Sequence, residues 1–198
     1  MNHPVHNQKF ISLVQAATIL FWKYGIKRIT IDEICREANV SKMTFYKYFS
    51  NKIDLAKYVL ETKMNNAIGK YREFMDADIP FTKKIEMSVQ LKMEQTEDIS
   101  QEFLTDLYRN PYPELLEFFE SKKKEFLNQI LKDYTKAQKS GHVRKNLKPE
   151  FILYFLNHMF EMAKDKELFY NYASAQELIM ELTNFFFYGI MTEKNGRD

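Results

Sequence analysis

The stretch that decides the fold is ITIDEICREANVSKMTFYKYFSNK, Ile29 to Lys52. Thr30 followed three residues later by Glu33 is a capping box, and Asp32 adds negative charge where a helix dipole favours it. A short helix is therefore expected from about Ile31 to Ala38. Asn39-Val40 breaks it, and Ser41 is a good cap for a second short helix from Lys42 to Phe49. Ser50-Asn51 breaks the chain again. In the second short helix Phe45 and Phe49 stand at i and i+4 and can pack inward, which leaves Lys42, Met43, Thr44, Tyr46, Lys47 and Tyr48 on the remaining surface. Lys52 opens the next helix at a position where acids are preferred, so it asks for a negative group beside it.

Upstream, Phe10, Leu13, Val14, Ala17, Leu20 and Phe21 share one face of a helix from about Lys9 to Tyr24, ended by Gly25. Three helices within fifty residues, the second and third short and joined by a tight break, describe a helix-turn-helix. The third helix is then the reader, lying in a major groove with its first residues on base edges. Lysine can bond guanine or phosphate, threonine offers a hydroxyl and a methyl, and tyrosine can reach a phosphate oxygen.

Downstream the period stays near 3.6 and no alternating strand pattern stands out. The chain has only five glycines and five prolines to punctuate it. The expectation is an all-α protein. A long fourth helix runs from Lys52 to about Met75, followed by helices at 80–97, 100–109, 113–139, 148–171 and 174–192. The breaks fall at Asn110-Pro111-Tyr112-Pro113, from Ser140-Gly141 to Pro149, and from Asn171 to Ser174. The domain division read from this is 1–51 for the helix-turn-helix and 52–198 for the remainder, with helix 52–75 connecting them. The last helix carries Leu178, Ile179, Leu182, Phe185, Phe186, Phe187, Ile190 and Met191. That is more apolar surface than one helix face in a monomer of this size buries, which points to a partner subunit.

Composition narrows the class. The chain has 198 residues, 45% hydrophobic and 28% charged, enough for a real core and too apolar for disorder. No run of about 18 apolar residues occurs and no secretory leader is evident. Cys35 is the single cysteine. An internal disulfide is excluded and a cytoplasmic location fits. Net charge is +2, but residues 1–60 hold nine Lys/Arg against four Asp/Glu. A basic N-terminal segment joined to a mildly acidic remainder suggests that the N-terminal part meets a polyanion.

The stretch Ile29–Leu55, with AATILFWKYG (Ala16–Gly25) before it, resembles the DNA-binding region of the TetR family of bacterial transcriptional regulators. The resemblance covers about Phe10 to Leu60. Beyond it the chain matches only in length and helical plan, with GHVRKNLKPE (Gly141–Glu150) similar to a loop common before the family's eighth helix. The resemblance implies a homodimer formed by the last two helices, a near-palindromic double-stranded DNA operator, and a C-terminal domain that binds a small effector. It makes Thr30, Tyr46, Tyr48 and Lys52 phosphate clamps, and Lys42, Met43, Thr44 and Lys47 base readers. Many members have glycine where this chain has Met43, so operator details do not transfer.

Other features have plainer readings. Cys35 reads as a buried structural thiol. His158, Glu161 and Asp165 fall at i, i+3 and i+7, a spacing a metal can use, but a helix that simply holds polar groups on one side explains them better, and no metal is expected. No nucleophile elbow, glycine-rich phosphate loop or paired-cysteine zinc spacing occurs, so neither catalysis nor a cofactor is expected. Phe103, Leu107, Tyr108, Tyr112, Phe119, Phe126, Tyr154, Phe155, His158, Met159 and Met162 are candidates to line an effector pocket. Such a lining favours a lipophilic or planar molecule. The expected function is a repressor released by that effector. The second reading is a DNA-binding architectural or partner-controlled protein of the same fold with no effector.

Overall fold

A computed structural model describes residues 7–108, 112–163 and 165–192. The fold is all-α. The helices are α1 (Gln8–Tyr24), α2 (Ile31–Glu37), α3 (Lys42–Tyr48), α4 (Lys52–Asp76), α5 (Phe81–Thr96), α6 (Gln101–Tyr108), α7 (Pro113–Lys139), α8 (Pro149–Ala163), α9 (Lys166–Phe169) and α10 (Ala175–Ile190). Among the described residues there is no strand, only an isolated antiparallel bridge between Val143 and Met191. None of the described helices is long and apolar enough to cross a membrane. The expected break at Asn110-Pro111 lies outside the described residues.

Two compact units divide the chain: residues up to 65 with 98–120, and 66–97 with 121 onward. In the first, local chemistry sets the helix ends. The Asn7 carboxamide accepts the Lys9 N–H at 3.0 Å, and Gly25, at φ 81°, ends α1 by donating its N–H to the Phe21 carbonyl at 2.9 Å. Both halves of the Thr30–Glu33 capping box form. Asn39 makes the α2–α3 turn at φ 52°, a conformation asparagine tolerates, and Val40 donates back to the Cys35 carbonyl at 2.9 Å. The Ser41 hydroxyl accepts the Thr44 N–H at 3.2 Å to start α3. At the start of α4 the Asn51 carboxamide accepts the N–H groups of Ile53 and Asp54 at 2.8 and 2.9 Å. Buried Phe10, Leu13, Phe21, Ile34, Phe45, Phe49 and Leu55 fill the core between these helices.

The first unit also holds α6 and the start of α7, which the sequence reading assigns to the C-terminal domain. The Phe103 ring lies 4.3 Å from the Trp22 ring, and Ser100 donates its N–H to the Trp22 carbonyl at 2.9 Å. Aromatic burial thus draws α6 onto α1 across some eighty positions.

In the second unit, Tyr71 and Phe74 of α4, Phe81 and Ile85 of α5, Leu127, Ile130 and Tyr134 of α7, Ile152 and Leu156 of α8, and Phe186, Phe187 and Ile190 of α10 form one core. Two helix boundaries here differ from expectation. The helix expected over 148–171 is interrupted, and the Asp165 carboxylate accepts the N–H groups of Glu167 and Leu168 at 2.9 and 3.1 Å, capping a separate α9. An aspartate offers the backbone an alternative to the helical ladder without the warning of a Gly or Pro. The last helix ends at Ile190 because the chain then pairs with the loop after α7, Arg144 N–H to the Ile190 carbonyl at 2.9 Å and Thr192 N–H to the His142 carbonyl at 3.2 Å.

Candidate nucleic-acid interface

α3 has two distinct sides. Phe45, Tyr48 and Phe49 point inward, Phe10 lying 5.4 Å from the Tyr48 ring and 5.5 Å from the Phe49 ring. Lys42, Met43, Tyr46 and Lys47 are exposed, Met43 at 79% and Tyr46 at 56%. A methionine and a tyrosine this open beside two lysines, on a helix locked from behind by three rings, suit a docking face. Thr44 is half-buried, its hydroxyl 3.0 Å from that of Ser41. The Lys42 ammonium pairs with the Asp32 carboxylate of α2 at 2.7 Å. The Lys47 ammonium sits 6.0 Å from the centre of the Tyr48 ring.

Three of the proposed phosphate clamps are already engaged within the protein. Thr30 is exposed, but its hydroxyl both donates to the Glu33 carboxylate at 2.8 Å and accepts the Glu33 N–H at 3.2 Å. The Tyr48 ring is buried, not on the surface as its neighbours suggested, because it stands at i+3 from Phe45 and shares the inward face. The Lys52 ammonium donates to the carbonyls of Ile26, Ile29 and Lys27 at 2.7, 2.7 and 3.1 Å. All three of its protons are thereby used, and the negative group that a lysine at this helix start calls for is a cluster of carbonyl dipoles. Burial pushes its pKa down, opposed by the charges of Asp106 and Glu33. Thr30 hydrogen bonds also hold the Glu33 carboxyl below the usual carboxylate range, its backbone N–H contributing most.

The effector-lining candidates divide between the two units. In the first unit Phe103, Leu107 and Phe119 are buried core, and the half-buried Tyr112 ring lies 6.0 Å from the Lys52 ammonium. The Tyr108 side chain lies outside what is described. In the second unit Phe126 meets the Tyr71 ring edge-on at 5.2 Å, while Phe155 lies between Phe185 and Phe186 at 6.1 and 5.9 Å. Met159 packs against the same core and Met162 is half-buried. Tyr154 and His158 are exposed and stack on each other at 3.9 Å, with His158 Nδ1 2.9 Å from the Tyr154 carbonyl oxygen. Cys35 is buried, and burial raises its thiol pKa.

Several side chains of consequence carry no local signal. The Asp106 carboxylate accepts the Lys27 N–H at 2.7 Å. In the second unit the Tyr71 hydroxyl donates to Asp133 at 3.0 Å, and Gln129 reaches the same carboxylate at 3.3 Å. Burial first, then neighbouring Tyr134 and Asp133, push the Tyr71 phenol far up.

Residues 13–59 match the family model for bacterial regulatory proteins, tetR family. The N-terminal region belongs to the TetR family. This TetR-family region also carries the likeness to curated relatives: the chain is 33% identical over 73 residues to an uncharacterised HTH-type transcriptional regulator of Bacillus subtilis, YhgD, over 37% of this chain and 38% of that protein's length. The fold likeness covers more than nine tenths of the chain. A regulatory protein TetR from Rhodobacter sphaeroides superposes with a TM-score of 0.74 at 17% identity, over 93% of this chain and all of that one. FadR of Bacillus subtilis, a transcriptional regulator solved in complex with stearoyl-CoA, gives 0.68 at 18% identity over 91% and 99% of the two chains. A putative transcriptional regulator from Saccharomonospora viridis, solved in complex with choline, gives 0.71 at 15% identity over 92% and 97%.

Proposed function

We propose that the protein is a dimeric, cytoplasmic transcriptional regulator that binds a near-palindromic operator through α3 and is released from it by a small, apolar or aromatic effector. The observation that carries this reading is the divided α3. Its inner side is fixed by Phe45, Tyr48 and Phe49, and its outer side presents Lys42, Met43, Tyr46 and Lys47. A rigid backing with an open, cationic and aromatic front is what a major-groove reader needs. Thr30 and Thr44 flank this front, and Tyr48 and Lys52 support it from within.

Dimerisation has its own support. α8 and α10 leave Phe151, Tyr154, Phe185 and Tyr188 at 54, 60, 67 and 85% exposure. A second copy covering this aromatic face would make the protein a dimer, and a dimeric helix-turn-helix protein reads two half-sites about one DNA turn apart, roughly 34–36 Å. For the effector, two regulators of the same fold hold ligands as unlike as stearoyl-CoA and choline. The fold therefore leaves the ligand class open, and the apolar and aromatic character of Phe126, Phe155, Met159 and Met162 is what favours a lipophilic molecule. α4 contributes residues to both compact units, so a shift of that helix would carry a change from one to the other.

The test is enrichment of bound sequences from a random duplex pool by the purified protein. The expected product is a sequence with approximate twofold symmetry and half-sites one turn apart. An unenriched pool, from a protein shown to be folded and dimeric, would overturn the reading.

A further inference from the structure

Asp32 occupies the second position of α2 and has an obvious local use, since negative charge in a first turn suits the helix dipole. That use does not account for where its side chain goes. Its Oδ1 reaches across the α2–α3 turn and lies 2.7 Å from the ammonium of Lys42, the first residue of α3, with the two side chains 66% and 58% exposed. The cation at the leading end of the exposed face is thus already paired in the free protein.

We infer that Asp32 is a specificity-determining residue, holding Lys42 back from phosphate so that it is spent on base edges. This rests on the reading of α3 as a DNA reader. A free lysine ammonium at the mouth of a groove takes the nearest phosphate on any sequence, and each phosphate so neutralised adds to sequence-independent affinity. A paired one does not, because its charge is already balanced. The ammonium keeps two further protons, which the uncharged O6 and N7 acceptors of a guanine in register can take with Asp32 still beside it, whereas a phosphate meets the repulsion of that carboxylate. Asp32 also places a negative charge against the phosphates of any duplex brought up to α3. Both effects lower the affinity for random DNA more than the affinity for the correct site, which is how discrimination is raised without new attractive contacts.

The experiment titrates wild type, D32N, D32E, K42Q and D32N/K42Q onto random duplex DNA and onto the duplex enriched by the wild-type protein, at several salt concentrations. Thermal unfolding verifies that each variant is folded. D32N is expected to bind random DNA about fivefold more tightly, with a log K against log salt slope steeper by about 0.9, the signature of one additional phosphate neutralised. The enriched-to-random ratio falls accordingly. D32E keeps the charge and is expected to retain the wild-type slope and ratio. In the K42Q background the effect of D32N shrinks to less than half. Unchanged slope and ratio in D32N would overturn the inference, as would half or more of its effect persisting without Lys42, since a bulk charge change then explains it. Selective wild-type binding with a silent D32N overturns this inference alone, whereas a wild type that selects no sequence overturns the DNA-reader reading with it.

Discussion

The carboxylate of Asp106 accepts the backbone N–H of Lys27 at 2.7 Å, joining α6 to the loop that leads into α2 across 79 positions of sequence. The same oxygen lies 2.6 Å from where a Cβ on Gly25 would stand, and Gly25 already holds φ +81°. Glycine is required there for its backbone conformation, and a Cβ would in addition displace the Asp106 carboxylate and press on the Glu102 Cβ and carbonyl carbon at 3.2 and 3.3 Å. Gly25→Ala is expected to destabilise the protein by about 2–4 kcal/mol, from left-handed strain plus the clash. Asp106→Asn should cost about 1–2 kcal/mol, the worth of a charge-assisted hydrogen bond at a part-exposed site. Urea unfolding measures both. In an Asp106→Ala background the cost of Gly25→Ala should fall without vanishing, because the backbone strain and the tight contact with Glu102 remain when the carboxylate is gone.

Lys52 makes a separable prediction. Its ammonium closes the loop between α1 and α2 by bonding three carbonyls. Lys52→Met leaves those acceptors without their donor and should cost about 1–3 kcal/mol of stability. Among variants still folded, the salt slope of DNA binding should match wild type. A slope shallower by about 0.9 would mean that Lys52 meets a phosphate after all.

Acid should weaken the start of α2. Thr30 holds the Glu33 carboxyl below its ordinary pKa by donating its N–H and hydroxyl. A depressed folded pKa gives stability that is fully present above the ordinary carboxylate range and lost as pH falls through the lowered value. Glu33→Gln should therefore be less stable than wild type at neutral pH, with the gap closing in acid. Unfolding midpoints of the two proteins across pH 2–7 decide it, and a gap that stays constant would contradict the assignment.

The aromatic face of α8 and α10 predicts a change of assembly. Phe185 is 67% exposed and lies 6.1 Å from Phe155. Phe185→Asp should leave the fold intact, since a surface change away from special features shifts stability by about 0.5 kcal/mol or less. It should convert a dimer to a monomer in sedimentation and weaken DNA binding by about a hundredfold or more through lost bivalency. A variant that stays dimeric would place the subunit contact elsewhere.

The legibility of this chain follows the range of its interactions. Thr30 with Glu33, Ser41 with Thr44 and the Gly25 stop each act within a few residues, so the helix-turn-helix was readable from the sequence alone. The inward Phe45 and Phe49 were readable from helical spacing, and the same spacing applied to Tyr48 would have placed it inside. The Lys52 ammonium and the Asp106 carboxylate reach partners 23 to 79 positions away, which no window reveals. The docking of α6 onto α1 was hidden for the same reason, since nothing near Phe103 marks Trp22 as its partner. The break before α9 was hidden because Asp165 caps it without a glycine or proline.

The most direct test of the central claim titrates wild type and a Tyr46→Ala/Lys47→Ala double variant onto the enriched duplex and onto random duplex DNA at two salt concentrations. Both side chains are exposed on α3, so the variant should fold and dimerise as wild type does. The account predicts tight, saturable wild-type binding to the enriched duplex, weaker and more salt-sensitive binding to random DNA, and loss of the preference in the double variant. Equal preference in wild type and variant would contradict it, because the face built from α3 would then not be what reads the DNA.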